Sequence, residues 1–168
     1  MRTPKNVYRR FIEFEERAAG IYLKLASRFS ENRELCSLWL DMAMHEKQHA
    51  GLLQFCLGEG CFASNLPNDA EIRTISGLFR SLEKRATDPK LDITRAFALS
   101  AEMEASEVNE IYCHMTETVH SSMYLLRRKI AASVPSHIAR LADEGQKFGV
   151  SSKIVKKLAR LKEKCSSA

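Results

Sequence analysis

Glu46-Lys47-Gln48-His49 sets a carboxylate and an imidazole three positions apart, so that on a helix both lie on one side. An oxygen and a ring nitrogen presented together suit a divalent transition metal. Alone, the pattern is common on charged helix surfaces, where such residues face water. Its setting points elsewhere, because Glu46 and His49 line up with Leu35, Met42 and Leu53 on one apolar stripe and so look inward. Two more carboxylates, Glu15 and Glu104, interrupt the apolar stripes of two other segments. An unpaired buried charge costs on the order of several kcal/mol, and a metal ion shared between facing helices would offset these charges together.

The segments that must position these groups read as helices. The chain has 168 residues, 45% of them hydrophobic, with only seven Gly and four Pro to interrupt it, and no segment alternates as a strand would. The expected class is all-α. Val7, Phe11, Ala18, Tyr22, Leu25 and Phe29 recur at helical spacing and predict a first helix from about Pro4 to Phe29, with Glu15 on its stripe. A second follows Ser30-Glu31-Asn32 and runs to about Leu57, ended by Gly58 and Gly60. A shorter helix closing near Thr87-Asp88-Pro89 reads as a crossover. A third long helix begins at Asp92 or Thr94 and carries Phe97, Ala101, Glu104, Val108, Ile111 and Met115, with Glu107 on the face of Glu104. Beyond Val119 the pattern predicts two helical stretches, Met123 to Ala132 and Ser136 to about Phe148, separated or kinked at Pro135. Gly149 ends the second, and an amphipathic helix with Ile154, Val155, Leu158 and Leu161 follows and docks on the rest. The organisation is a helical bundle over 1–150 and a basic C-terminal helix and tail over 151–168.

The formal net charge is +5, and much of the excess sits in Lys153, Lys156, Lys157, Arg160, Lys162 and Lys164, the solvated face of that last helix. The five cysteines, Cys36, Cys56, Cys61, Cys113 and Cys165, include no Cys-x-x-Cys pair, which argues against a zinc site or a disulfide framework. They read as reduced packing residues, with Cys56 and Cys61 placed to pair only under oxidation. No window approaches the roughly 18 uninterrupted apolar residues of a membrane span, and Met1-Arg2-Thr3-Pro4-Lys5 has no apolar signal core. A soluble, cytoplasmic protein is expected.

Arg10 or Arg17 could neutralise Glu15, which leaves a simple boundary ion pair open as the alternative to a metal. Tyr22 and Tyr112 each follow an inward carboxylate on their own helix. Each could hydrogen-bond a ligand carboxylate or serve as ordinary core. Three motifs, Glu15-x-x-Ala18-x-x-x-Tyr22, Glu46-Lys47-Gln48-His49-Ala50 and Glu104-Ala105-Ser106-Glu107-Val108-Asn109-Glu110-Ile111-Tyr112, together resemble the ferritin-like superfamily, most closely the rubrerythrin di-iron domain.

The resemblance implies a ferritin-like four-helix bundle holding one or two iron ions. It implies that Glu15 and Glu104 are terminal carboxylate ligands, Glu46 a bridging one, His49 the imidazole ligand and Glu107 the extra carboxylate. The fourth helix departs from the family, which has a second Glu-x-x-His there. Asp143 and Gln146, on a face with Ala139 and Val150, are the nearest inward candidates, so Asp143 completes the expected metal set. His137, just after Pro135, is a further candidate ligand, with an exposed helix start as the stronger expectation, and His45 and His114 are expected at the boundary. The rubredoxin-like Cys-x-x-Cys module is missing, so redox work would need an external electron donor. A homodimer is expected, with neither a membrane nor nucleic acid as the main partner. The function implied is an iron-binding protein, redox-active toward oxygen or peroxide. One alternative is a degenerate bundle with one or no metal that acts as a structural or interaction protein. Another, suggested by the sequence pI of about 9.0 and the lysine-rich tail, is a ferritin-like hydroxylase acting on RNA.

Overall fold

The computed structural model describes residues 3–106 and 124–166, which form helices α1 (Pro4–Arg28), α2 (Arg33–Glu59), α3 (Asp69–Ala86), α4 (Ile93–Glu104), α5 (Tyr124–Lys147) and α6 (Ser152–Ser166), with no strand among them. The all-α expectation holds.

Each of the first four helices begins at a side-chain cap. The Thr3 hydroxyl accepts from the Asn6 N–H, with Pro4 in the first turn. The Asn32 side chain accepts from Glu34 and Leu35, and Asn68 forms a capping box with Glu71. Asp92 caps α4, which settles the choice between it and Thr94. Helix α2 runs through Gly58 and stops at Gly60, whose φ of 69° is the left-handed conformation that favours glycine.

The four-residue turn 29–32 folds α2 back along α1, and these two make the most extensive helix pair. Helix α3 runs in the same direction as α1. Phe14 stacks on Phe79 at 5.5 Å, and one turn on, Arg17 makes a two-pronged bond to Glu83 at 2.7 and 2.8 Å. The loop before α3 is tied down where the Ala63 N–H donates to the buried Tyr8 hydroxyl. Helix α5 runs antiparallel to α2, as the pairs Glu34–Lys147, Asp41–Arg140 and His45–His137 show. Helix α6 buries Leu158 and packs on α5 and α4, as its apolar side predicts.

Two expectations fail here. Pro135 lies inside α5, which continues through it as one helix rather than two. The buried stripe beyond it, Ile138, Leu141, Ala142 and Gly145, keeps one helical register, and that packing offsets the ladder bond proline removes. A Cβ on Gly145 would lie 3.3 Å from Phe97 Cδ1, so this glycine lets α5 close on α4. Helix α4 ends at Glu104, where the Ser106 N–H bonds back to Met103 in a tightened last turn. Val108, Ile111 and Met115, on which a longer helix was expected, lie outside the described residues.

Cys36, Cys56 and Cys61 are free thiols, and burial, then the neighbouring Cys61, pushes the Cys56 thiol up to about 11. No helix among the described residues is long and apolar enough to cross a membrane.

Candidate metal centre

Five ionisable side chains meet in the core. Glu15 of α1, Glu46 and His49 of α2, Glu104 of α4 and His137 of α5 are all at most 4% exposed. Each sits where its helix turns an apolar stripe inward: Glu15 between Phe11 and Ala18, Glu46 and His49 between Met42 and Leu53, Glu104 beside Ala101 and Met103, and His137 beside Ile138 and Leu141.

The ligand atoms form two groups that share one residue. In Glu15–Glu46–His49 and in Glu46–Glu104–His137, one oxygen or nitrogen from each residue lies within 4.8 Å of the others. His49 Nδ1 is 3.2 Å from Glu46 Oε2 and 3.6 Å from Glu15 Oε2. His137 Nε2 is 3.0 Å from Glu104 Oε2, whose other oxygen accepts a 2.5 Å bond from the buried Tyr22 hydroxyl. Tyr22 thus holds a cluster carboxylate in place, and its ring stacks on Trp39.

Among the described residues, neither candidate arginine serves Glu15. Arg17 is bonded to Glu83 and Arg10 to Glu13, so neither makes the boundary ion pair that the sequence left open. Glu15 Oε1 and His137 Nδ1 are buried and have no hydrogen-bond partner among the described residues. A cavity of about 10 Å³, room for one small ion or water, opens among Glu15, Ala18, Glu46, Glu104 and Ser106. The larger groove of about 530 Å³ along Asn6, Arg9, Arg10 and Arg73 is lined by none of the cluster residues.

Without a metal, the first group neutralises itself with protons. Burial pushes the Glu15 carboxyl up to about 8, against the opposing bond from His49. Burial would also raise Glu46, but its bond to His49 and the nearby imidazoles outweigh that and lower it to about 2. Burial would lower His49, but Glu15 and Glu46 outweigh it and hold the ring up to about 10. Near neutral pH, Glu15 keeps its proton, Glu46 is ionised and His49 is cationic. Burial, then the Glu104 charge, raises the Tyr22 phenol well above its ordinary value, so it stays a donor.

The donors fit a divalent transition metal. Two carboxylates and one imidazole per group are intermediate in softness, too nitrogen-rich for magnesium or calcium and too oxygen-rich for a thiolate-seeking ion. The protons on Glu15 and His49 occupy positions that a cation would take.

Of the residues expected from sequence, Glu15, Glu46, His49 and Glu104 are brought together. Asp143 is not: it and Gln146 are exposed on α5. The inward stripe of that helix runs through Ile138, Leu141, Ala142 and Gly145, which turns position 143 to solvent. The fourth-helix residue at the centre is His137, which is buried rather than exposed at a helix start. Treating α5 as continuous across Pro135 would have ranked it above Asp143, since His137 lies one turn before Leu141 on the same face. Glu107, Tyr112 and His114 lie outside the described residues.

Comparison with models of known protein families, with curated proteins and with solved structures returned no match.

Proposed function

We propose that this chain is a metal-binding protein of ferritin-like, rubrerythrin-like design, which holds iron in its core and is redox-active toward oxygen or peroxide. The observation that carries it is the convergence of Glu15, Glu46, His49, Glu104 and His137 from four helices into two three-donor groups sharing Glu46. Glu15, Glu46 and His49 would hold one ion, and Glu46, Glu104 and His137 a second. Bound iron would supply one-electron chemistry and a Lewis-acidic position for the oxidant. The chain's own residues do the rest. The three carboxylates balance cationic charge, and the Tyr22 hydroxyl fixes Glu104 while remaining a proton donor beside it. Phe79, Met103 and Ala18 wall the site and restrict water. An external donor would return the electrons.

Anaerobic titration with ferrous iron followed by exposure to oxygen tests this. Saturable uptake and an oxygen-dependent near-ultraviolet band are expected; protein that takes up no iron overturns it.

A second function, a surface-acting structural or interaction protein, is favoured by one feature. Leu23, Leu40 and Met44 are exposed apolar side chains on α1 and α2. If that is the function, replacing Glu46 and His49 by Gln and Leu leaves it intact.

A further inference from the structure

An ion bound at this centre must first pass a closed wall, because the five cluster side chains are almost fully buried. His45 is the donor side chain on the described part of that wall that reaches both sides. It precedes Glu46, lies one turn before His49, and is only half-buried, although its Nδ1 is fully buried without a hydrogen-bond partner among the described residues. Its ring stacks on that of His137 with centroids 5.3 Å apart and planes 26° apart, and the His137 ring lies 5.8 Å from His49. The three imidazoles therefore make a continuous row from the surface to both metal groups. His137 turns Nε2 to Glu104 and leaves its own buried Nδ1 without a partner among the described residues.

We propose that His45 is the gateway by which a divalent metal ion reaches the buried centre, taking the ion from solvent and passing it to His137 and the carboxylates behind. This rests on the metal-centre function proposed above. The Asp41–Arg140 pair at 2.5 Å ties α2 to α5 one turn from His45, so the row keeps its spacing. Among the described residues, passage by way of Ser106 offers a hydroxyl as the donor.

The test uses Co2+ alone as the probe and Trp39, the single tryptophan, as the reporter, since Trp39 stacks on Tyr22 at the centre's edge. The rate of fluorescence quenching is compared between the full-length wild type and His45→Gln, whose amide is a poor transition-metal ligand. The expected result is uptake slower by about tenfold, the low end of what removing a group beside a metal site's ligands costs, with the final Co2+ content and dissociation constant unchanged. His45→Asp, which restores a donor, returns most of the rate. Equal rates in wild type and His45→Gln overturn the gateway, since the ion then passes elsewhere. Weaker binding at equilibrium also overturns it, because His45 would then be a resident ligand. If His45→Asp is as slow as His45→Gln, the ring matters by shape and donor transfer is refuted. Wild-type protein that takes up no Co2+ instead refutes the metal centre itself, a distinct outcome.

Discussion

The proton content of the buried cluster makes the stability of the metal-free protein fall as pH rises through neutrality. Glu15 is raised from 4.5 to about 8 and His49 from 6.5 to about 10. For a raised group, the folded state holds the proton more tightly. Its contribution is therefore complete below the unfolded value and is lost as pH climbs through the folded one. Glu46, lowered from 4.5 to about 2, contributes above pH 4.5 and loses that contribution only in acid, so it leaves the neutral slope unchanged. Between pH 6.5 and 8 these two groups hold about 1.5 more protons in the folded chain than in the unfolded one. At 2.3RT per proton, stability drops by about 2 kcal/mol per pH unit there. A bound cation replaces both protons, so its apparent affinity rises by up to about a hundredfold per pH unit, and the metal-loaded protein shows a flat or rising profile. Urea unfolding followed by Trp39 fluorescence, with a chelator and with saturating metal, gives both curves. A metal-free protein whose stability is flat or rises across that window, or a loaded protein that loses stability as steeply as the metal-free one, refutes the proton-for-metal exchange.

His137→Gln lowers Co2+ affinity by about 10- to 100-fold in isothermal titration, whereas Asp143→Asn leaves it unchanged; the reverse ranking would return the fourth-helix ligand to Asp143. Tyr22→Phe removes the donor to a buried carboxylate and destabilises the metal-free protein by about 1–3 kcal/mol. A thermal melt of that variant matching wild type would show that the Tyr22–Glu104 bond contributes nothing.

Much of the centre is legible in local pattern, because a charged residue on an apolar stripe is conspicuous. Glu15, Glu46, His49 and Glu104 each break a 3.6-residue hydrophobic repeat, and the caps Asn32 and Asp92 frame the helices that carry three of those breaks. Whether Glu15 meets an arginine or an imidazole is not local. Arg17 is two residues away in sequence, yet it turns to Glu83 on α3, and only the packing of α3 on α1 reveals that. His137 is hidden by a different cause: Pro135 is a strong local signal for a break, and tertiary burial of Ile138, Leu141 and Gly145 overrides it. The end of α4 at Glu104 is hidden as well, since apolar residues continue past it at helical spacing and nothing in their types marks the stop.

Metal content per chain, measured by elemental analysis after anaerobic loading and removal of free ion, bears most directly on the central claim. Because Glu46 belongs to both donor groups, wild type should retain one or two transition-metal ions and Glu46→Gln should lose them while remaining folded. Wild type that retains none, or a Glu46→Gln variant that retains as much as wild type, would contradict the account.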